Sequence, residues 1–313
     1  MRQSIENTNK TPGEDAMKKN VQLSPSNIAM ILLLCLWSQV AEAKTPWHWQ
    51  MSLRTDAMAG AIQMPTALFV DADKERYYVV DSGNNRLLSF GRDGKLLHSF
   101  NADKELTTPF DMIRTEANEL WVVEKGRNTL TQIDTQEKKT TPHTVEYKGR
   151  LVFPDRLEYT KDRLYLLDKA SGDILVLDLN LVIQQRFACP SENGGGGFVD
   201  FKLVDGDIWS LDQRSKTVYH FRTDGGIADR IHLGNNVHSP VSLAIDPTGV
   251  IFILDRLTST VAAFDRSGRC KYNFLESGQA QGQLYFPSEI LFDPWGQLCI
   301  VDEGNGRVEI FSR

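Results

Sequence analysis

The chain has 313 residues, of which 41% are hydrophobic, 24% charged and 9% aromatic, a composition that excludes an intrinsically disordered chain and a multi-span membrane protein. Its formal net charge is −6, and because the first 43 residues hold four basic and four acidic groups, the remainder carries all of it. That balance makes a polyanion such as nucleic acid a poor default partner.

Residues 1–16 are polar and precede a second methionine, Met17. From there Met17-Lys18-Lys19, the apolar run Ile28 to Trp37 and the small-x-small triplet Ala41-Glu42-Ala43 read as a basic start, a hydrophobic stretch and a cleavage site, so residues 1–43 are taken as an extension and secretory signal. The apolar run is about half of what a membrane-spanning helix requires. Export to a periplasmic or extracellular setting is expected, with no membrane span after cleavage. Cys35 follows the bulky Leu34, which argues against lipid attachment. Cleavage leaves Cys189, Cys270 and Cys299, an odd number without disulfide or metal spacing, read as small buried hydrophobes.

Residues 44–60 contain Trp47-His48-Trp49-Gln50-Met51-Ser52-Leu53, which alternates large apolar and polar side chains as a strand does. From residue 65 to 313 one unit recurs six times. Acids stand at Asp81, Glu124, Asp168, Asp212, Asp255 and Asp302, spaced by 43, 44, 44, 43 and 47 residues. Three positions before them come Tyr78, Trp121, Tyr165, Trp209, Phe252 and Cys299; nine after them come Phe90, Ile133, Leu177, Phe221, Phe264 and Phe311. In the first unit, strands are expected at Leu68 to Val70, Tyr77 to Val80, Leu87 to Phe90 and Leu96 to Phe100, with corners at Ser82-Gly83-Asn84 and Arg92-Asp93-Gly94. Such a unit is apolar on both sheet faces and must stack on neighbours. The expected fold is all-β: a six-bladed propeller of four-stranded blades. The sixth unit ends two residues past Phe311, so Trp47 to Leu53 is expected to supply its outer strand and cover the open edge. Gly194 to Gly197 reads as a loop between the third and fourth units.

Asp81-Ser82-Gly83-Asn84-Asn85-Arg86 and Asp302-Glu303-Gly304-Asn305-Gly306-Arg307 resemble the signature of the NHL-repeat family; Glu124-Lys125-Gly126-Arg127-Asn128 matches in part, and the third to fifth units lose the corner. The resemblance implies a propeller that presents loops to a partner. It equally admits enzymes, among them a peptide-amidating lyase whose metal is held by channel histidines. Here, of His48, His98, His143, His220, His232 and His238, only His238 stands where a unit begins.

The opening strand of each unit lies nearest the propeller axis, and alternate side chains face different ways. Leu68, Met112, Leu157, Phe201, Leu243 and Ile290 form an apolar series. One residue earlier stand Ala67, Asp111, Arg156, Asp200, Ser242 and Glu289, and Glu158 and Lys202 extend that polar face. Asp111, Arg156, Asp200, Ser242, Glu289, Glu158 and Lys202 are therefore the candidate ligand- or partner-binding residues, expected to converge at one channel mouth. No catalytic residue, metal ligand or cofactor is assigned. The function read from the sequence is an exported module that binds a protein or a small ligand of the cell envelope. The alternative is a metal-assisted lyase or hydrolase using Asp111, Asp200 and Glu289. Arg86, Lys125, Arg127, Lys169, Arg214, Lys216, Arg256 and Arg307 follow the recurrent acids and read as a salt-bridged rim.

Overall fold

The computed structural model describes residues 46–135, 137, 139–190 and 196–313. The signal expected before residue 44, Cys35 and Gly194-Gly195 lie outside them. Among the described residues no helix is long and apolar enough to cross a membrane.

Six sheets of four antiparallel strands form a propeller. Blade 1 is Pro65–Asp71, Arg76–Asp81, Arg86–Gly91 and Leu96–Phe100, from axis to rim; blades 2 to 5 open with Pro109–Arg114, Pro154–Thr160, Phe198–Val204 and Pro240–Ile245. Second strands such as Leu120–Glu124 and Leu298–Asp302 are buried along their whole length, which only a sheet covered on both faces allows. The cover comes from the next blade. Among the described residues the buried apolar side chains fall into six clusters, one per blade contact: Val80 and Leu87 of blade 1 meet Met112 and Val122 of blade 2, and Val301 and Val308 of blade 6 meet Leu68 and Val79 of blade 1.

The sixth sheet takes Glu289–Phe292, Leu298–Asp302 and Arg307–Ser312, and its outer strand is His48–Leu53, antiparallel to Arg307–Ser312. Trp49 Nε1 and Ser52 Oγ both donate to Glu309 Oε2, at 2.8 and 2.6 Å. Trp47 is buried among Phe252, Phe274 and Phe292, with ring centroids 5.7, 6.2 and 5.9 Å away.

The fixed nine-residue offset after each acid is a consequence of hairpin register: Phe90 pairs with Tyr77, Leu177 with Leu164 and Phe264 with Ile251 on the preceding strand. The acids themselves end the second strands and reach the loop that leads into their own blade. Asp81 Oδ1 accepts from Gln63 N at 2.8 Å, Glu124 Oε1 from Thr107 N at 2.6 Å, Asp168 Oδ1 from Phe153 N at 2.8 Å and Asp302 Oδ1 from Tyr285 N at 2.7 Å. In blades 1, 2 and 6 the glycine two residues on completes the grip, since Gly83, Gly126 and Gly304 donate back to the carbonyls of Gln63, Thr107 and Tyr285. A Cβ on Gly304 would stand 2.4 Å from Tyr285 O. The next residue in each of these three loops, Met64, Thr108 or Phe286, sits at positive φ. Blades 3 to 5 lack the glycine and the left-handed residue together, so the Asp-x-Gly corner belongs to one way of building the leading loop. Arg86 and Arg307 serve the same loops: each meets its acid, at 2.5 and 2.8 Å, and spends its remaining donors on loop carbonyls.

Two features were not anticipated. Proline opens the inner segment of five blades (Pro65, Pro109, Pro154, Pro240 and Pro287), and in blades 1 to 5 the strand register slips immediately after the opening residue. A small extra hairpin, Glu146–Tyr147 with Arg150–Leu151, stands between blades 2 and 3. The glycine loop before blade 4 has a steric reason, because a Cβ on Gly197 would lie 2.8 Å from Gly172 Cα.

Gly304→Ala is expected to destabilise the fold by about 1–3 kcal/mol through this backbone clash, read as a lower urea midpoint; unchanged stability would show that the Tyr285 loop yields freely.

Candidate functional site

The inner strand of each blade presents one bare edge to the channel, and its backbone amides need acceptors there. The polar row supplies them from the neighbouring blade. Asp111 Oδ2 of blade 2 accepts from Leu157 N of blade 3 at 2.9 Å; Asp200 Oδ2 of blade 4 accepts from Leu243 N of blade 5 at 3.0 Å; Glu289 Oε2 of blade 6 accepts from Leu68 N of blade 1 at 2.9 Å. Ser242 Oγ continues the chain, donating to Asp200 Oδ2 at 2.5 Å and accepting from Ile290 N of blade 6 at 3.1 Å. Ala67 and Arg156 carry no acceptor, so the sequence of bonds is interrupted at blades 1 and 3.

Arg156 does something different. Its guanidinium crosses the channel to the carbonyls of Thr66 and Ser288, both at 3.1 Å. Lys202 Nζ lies 2.8 Å from Glu289 Oε1, 3.6 Å from Glu158 Oε1 and 3.7 Å from Asp200 Oδ1. All seven candidate residues are thus brought together, but inside the channel rather than at one mouth. Arg156 faces a cavity of about 270 Å³ on the side of the blade-opening loops, with Phe110, Asp155 and Val241. Asp111, Glu158, Lys202 and Glu289 face the opposite cavity, of about 300 Å³, with Arg114 and Tyr159. Asp200 and Ser242 line neither. The expectation of a single mouth fails because the Arg156 guanidinium spans the bore and divides it.

Four carboxyls and two cations share this space, and burial makes full ionisation costly. Burial, reinforced by the Glu289 charge, pushes Asp111 up to about 8. Burial likewise pushes Glu158 up to about 7, against the pull of Lys202, and raises Asp200. For Glu289 burial is outweighed by Lys202 and Arg156, which hold it below the usual carboxylate range. The cluster therefore favours the ionised form of Glu289 on Lys202 and shifts its neighbours toward the protonated form.

Elsewhere the rim cations are largely paired. Lys125 and Lys169 meet Asp155, and Arg256 meets Glu303 at 2.8 Å. His238 is an exposed loop residue 3.9 Å from Asp255. Cys189, Cys270 and Cys299 are free thiols, Cys299 buried and the others half-buried. Among the described residues no group of three or more His, Cys, Asp or Glu side chains is placed to hold a metal ion.

One set of surface residues escaped the sequence reading. Met64, Phe153, Tyr285 and Phe286 of the blade-opening loops, and Leu257 on a neighbouring turn, are 40–67% exposed. Their signal was present, since Met64, Phe153 and Phe286 each directly precede a proline that opens a blade.

No protein-family model matches the chain. Solved structures share its fold. A streptogramin B lyase matches at 12% identity over 85% of this chain and 97% of its own, with a TM-score of 0.60. A catalytically inactive histidine-to-alanine form of virginiamycin B lyase from Staphylococcus aureus, with quinupristin, matches at 13% identity over 80% of both chains, with a TM-score of 0.59. A gluconolactonase from Xanthomonas campestris matches at 16% identity over 85% of this chain and 96% of its own, with a TM-score of 0.61. At these identities the likeness is one of fold.

The raised carboxyls fix the sign of a pH dependence. Asp111 and Glu158 keep protons in the folded protein that the unfolded chain releases near pH 4, so stability falls as pH rises from 5 to 8 and levels off above. Glu289, shifted downward, contributes a constant amount across this window and loses it only at lower pH. Urea unfolding of Asp111→Asn is expected to give a flatter profile from pH 5 to 8 than the parent; an equally steep one would remove Asp111 from the account.

Proposed function

We propose that this chain is an exported binding module that engages a protein partner through the face carrying the blade-opening loops. The observation that carries this reading is the exposure of Met64, Phe153, Leu257, Tyr285 and Phe286 around that mouth. Large apolar side chains held open on rigid loops are costly in water and suit recognition. Four of the five are anchored at their backbones: Tyr285 by Asp302, Phe153 by Asp168, Leu257 by Asp255, and the Phe286 carbonyl by Arg256 at 2.9 Å. The polar row supports the same reading from the other side. Asp111, Asp200 and Glu289 are engaged by backbone amides of the next blade, so their first role is to join blades.

Export rests on the composition of residues 17–43 and is part of the proposal. The outer strand of blade 6 begins at His48, a few residues beyond the expected cleavage site, so a processed chain would retain it.

The test is capture of partners from a cell-envelope extract by the parent and by a Phe153→Asp/Phe286→Asp variant. Both positions are exposed, so the variant is expected to keep its unfolding free energy within about 0.5 kcal/mol while losing the captured protein. Capture unchanged by the variant would overturn the assignment of this face.

A second reading, lyase or hydrolase chemistry, is favoured by one observation: Glu158 and Asp111, with raised values near neutrality, face a cavity of about 300 Å³ beside Lys202, the arrangement that general acid–base work requires. The lyases and the gluconolactonase that share the fold make it a natural rival. In its metal-assisted form it predicts stoichiometric binding of a divalent ion, lost in Asp111→Ala/Asp200→Ala/Glu289→Ala and weakened at least tenfold in Glu158→Gln. Calorimetric titration with Ca²⁺, Mn²⁺ and Zn²⁺ decides it, since no saturable heat with any of the three would remove that form.

A further inference from the structure

Away from the channel, a cleft of about 290 Å³ opens between blades 1 and 2. Its origin lies in a row of side chains that crosses each sheet. In blade 4 the row is Trp209, His220 and Asp229 on adjacent strands. It is filled: His220 stacks on Trp209 with ring centroids 4.1 Å apart and is bonded to Asp229 and Asp207 at 3.0 and 2.8 Å. In blade 2 the middle position is Gln132, in blade 3 Val176 and in blade 6 Ile310, while in blade 5 it is Ala263, buried in a cluster with Phe252, Phe274 and Tyr272. Blade 1 has Tyr78, Ser89 and His98. Ser89 is too short to fill the middle of the row, and the space it leaves is roofed by Leu120 and Arg114 of blade 2.

Three observations bear on what this space accepts. The first is charge: in a chain of net charge −6, the cleft is lined by Lys74, Arg76, Arg114 and His98 and, among the described residues, by no carboxylate. Arg114 is held by Asp71, whereas among the described residues neither Lys74 nor Arg76 forms an ion pair. The second is a donor without an acceptor. Ser89 is 6% exposed, lines the cleft, and its Oγ makes no hydrogen bond among the described residues, so it is a donor open to a ligand's oxygen. The third is the apolar floor, where Leu87, Leu88, Phe100 and the Tyr78 ring close the space below the cations. The volume is at the small end of ligand sites, matched to a single ring with one charged substituent.

We propose that this cleft binds a small organic anion, a carboxylate or phosphate carried on an apolar, ring-sized body. The body fills the gap above Ser89, the anionic group meets Arg76 and Lys74 at the more exposed end, and the Ser89 hydroxyl donates from the buried end. Burial, then the Arg114 charge and to a lesser extent that of Arg76, hold the Lys74 ammonium below its usual range against the opposing pull of Asp71. An arriving anion removes part of that repulsion, which favours binding.

The experiment titrates the full chain with benzoate and with phenyl phosphate in separate arms, followed by calorimetry and by the amide NMR shifts of blades 1 and 2. Benzamidine and inorganic phosphate serve as the reversed-charge and body-free probes. At least one aromatic anion is expected to saturate, and the arm that does so identifies the charged group. Arg76→Ala is expected to weaken it about tenfold, the loss of one charge-assisted contact. Ser89→Leu, which fills the gap, is expected to abolish binding, and Ser89→Ala, which removes only the hydroxyl, to weaken it should the leucine variant fail to fold. Benzamidine is expected not to bind, and inorganic phosphate to bind more weakly than phenyl phosphate. The proposal is overturned if neither aromatic anion saturates, if binding survives both Arg76→Ala and substitution of Ser89, or if inorganic phosphate binds as tightly as phenyl phosphate. None of these outcomes depends on the loop face or the channel, so the partner-binding proposal stands or falls separately.

Discussion

A carboxylate accepting a backbone amide from another segment is the interaction on which this propeller is organised. It operates at two radii. At the ends of the second strands, Asp81, Glu124, Asp168 and Asp302 hold the loop that delivers the chain to the axis. At the axis, Asp111, Asp200 and Glu289 hold the first strand of the following blade. The bond is strongest where the acceptor is held ionised, as at Glu289, at about 1.5–3 kcal/mol, while apolar clusters between blades supply the larger, non-directional share. The apolar contacts make the blades stack. The carboxylates decide at what height and register they do so.

This division of labour constrains what the channel can do. A side chain already bonded to a neighbouring blade is available to a ligand only if that bond is given up, so the inner polar row is rigid and poorly disposed to rearrange. Glu158, Lys202 and Arg156 are the exceptions in kind: their partners are side chains or carbonyls across the bore, and all three face open space, the first two in one cavity and Arg156 in the other. The blade-opening loops lie at the opposite extreme, pinned at their backbones by buried acids while their side chains project into water.

The architecture was legible in the sequence because closure around an axis repeats the same geometric demands six times. The acids at Asp81 through Asp302 recur because leading loops need an acceptor, which five of the six supply, and Phe90 through Phe311 recur because the hairpin register places them opposite the start of the preceding strand. The polar row was legible for the same reason, as a polar residue one position before an apolar one on every inner strand. What it does was not. Whether Asp111 reaches toward the bore or toward Leu157 depends on strand tilt and on the register slip after Pro109, neither of which has a one-residue signature. Arg156 could not be placed across the channel from its neighbours in sequence, since its partners, Thr66 and Ser288, belong to blades 1 and 6. The cleft beside Ser89 was hidden in another way: its meaning lies in a comparison between blades, where a serine occupies a position that His220 or Gln132 fills elsewhere.

The outer strand of the sixth blade carries a temporal consequence. Trp49 and Glu309 are 260 positions apart, whereas the first five blades are each built from hairpins between neighbouring segments. Synthesis therefore delivers five blades in order, each able to condense on the one before. The sixth needs two segments from opposite ends of the propeller at once. Contacts of such sequence separation form slowly, so the segment from Trp47 to Leu53 waits, apolar and unmatched, until Arg307–Ser312 is in place.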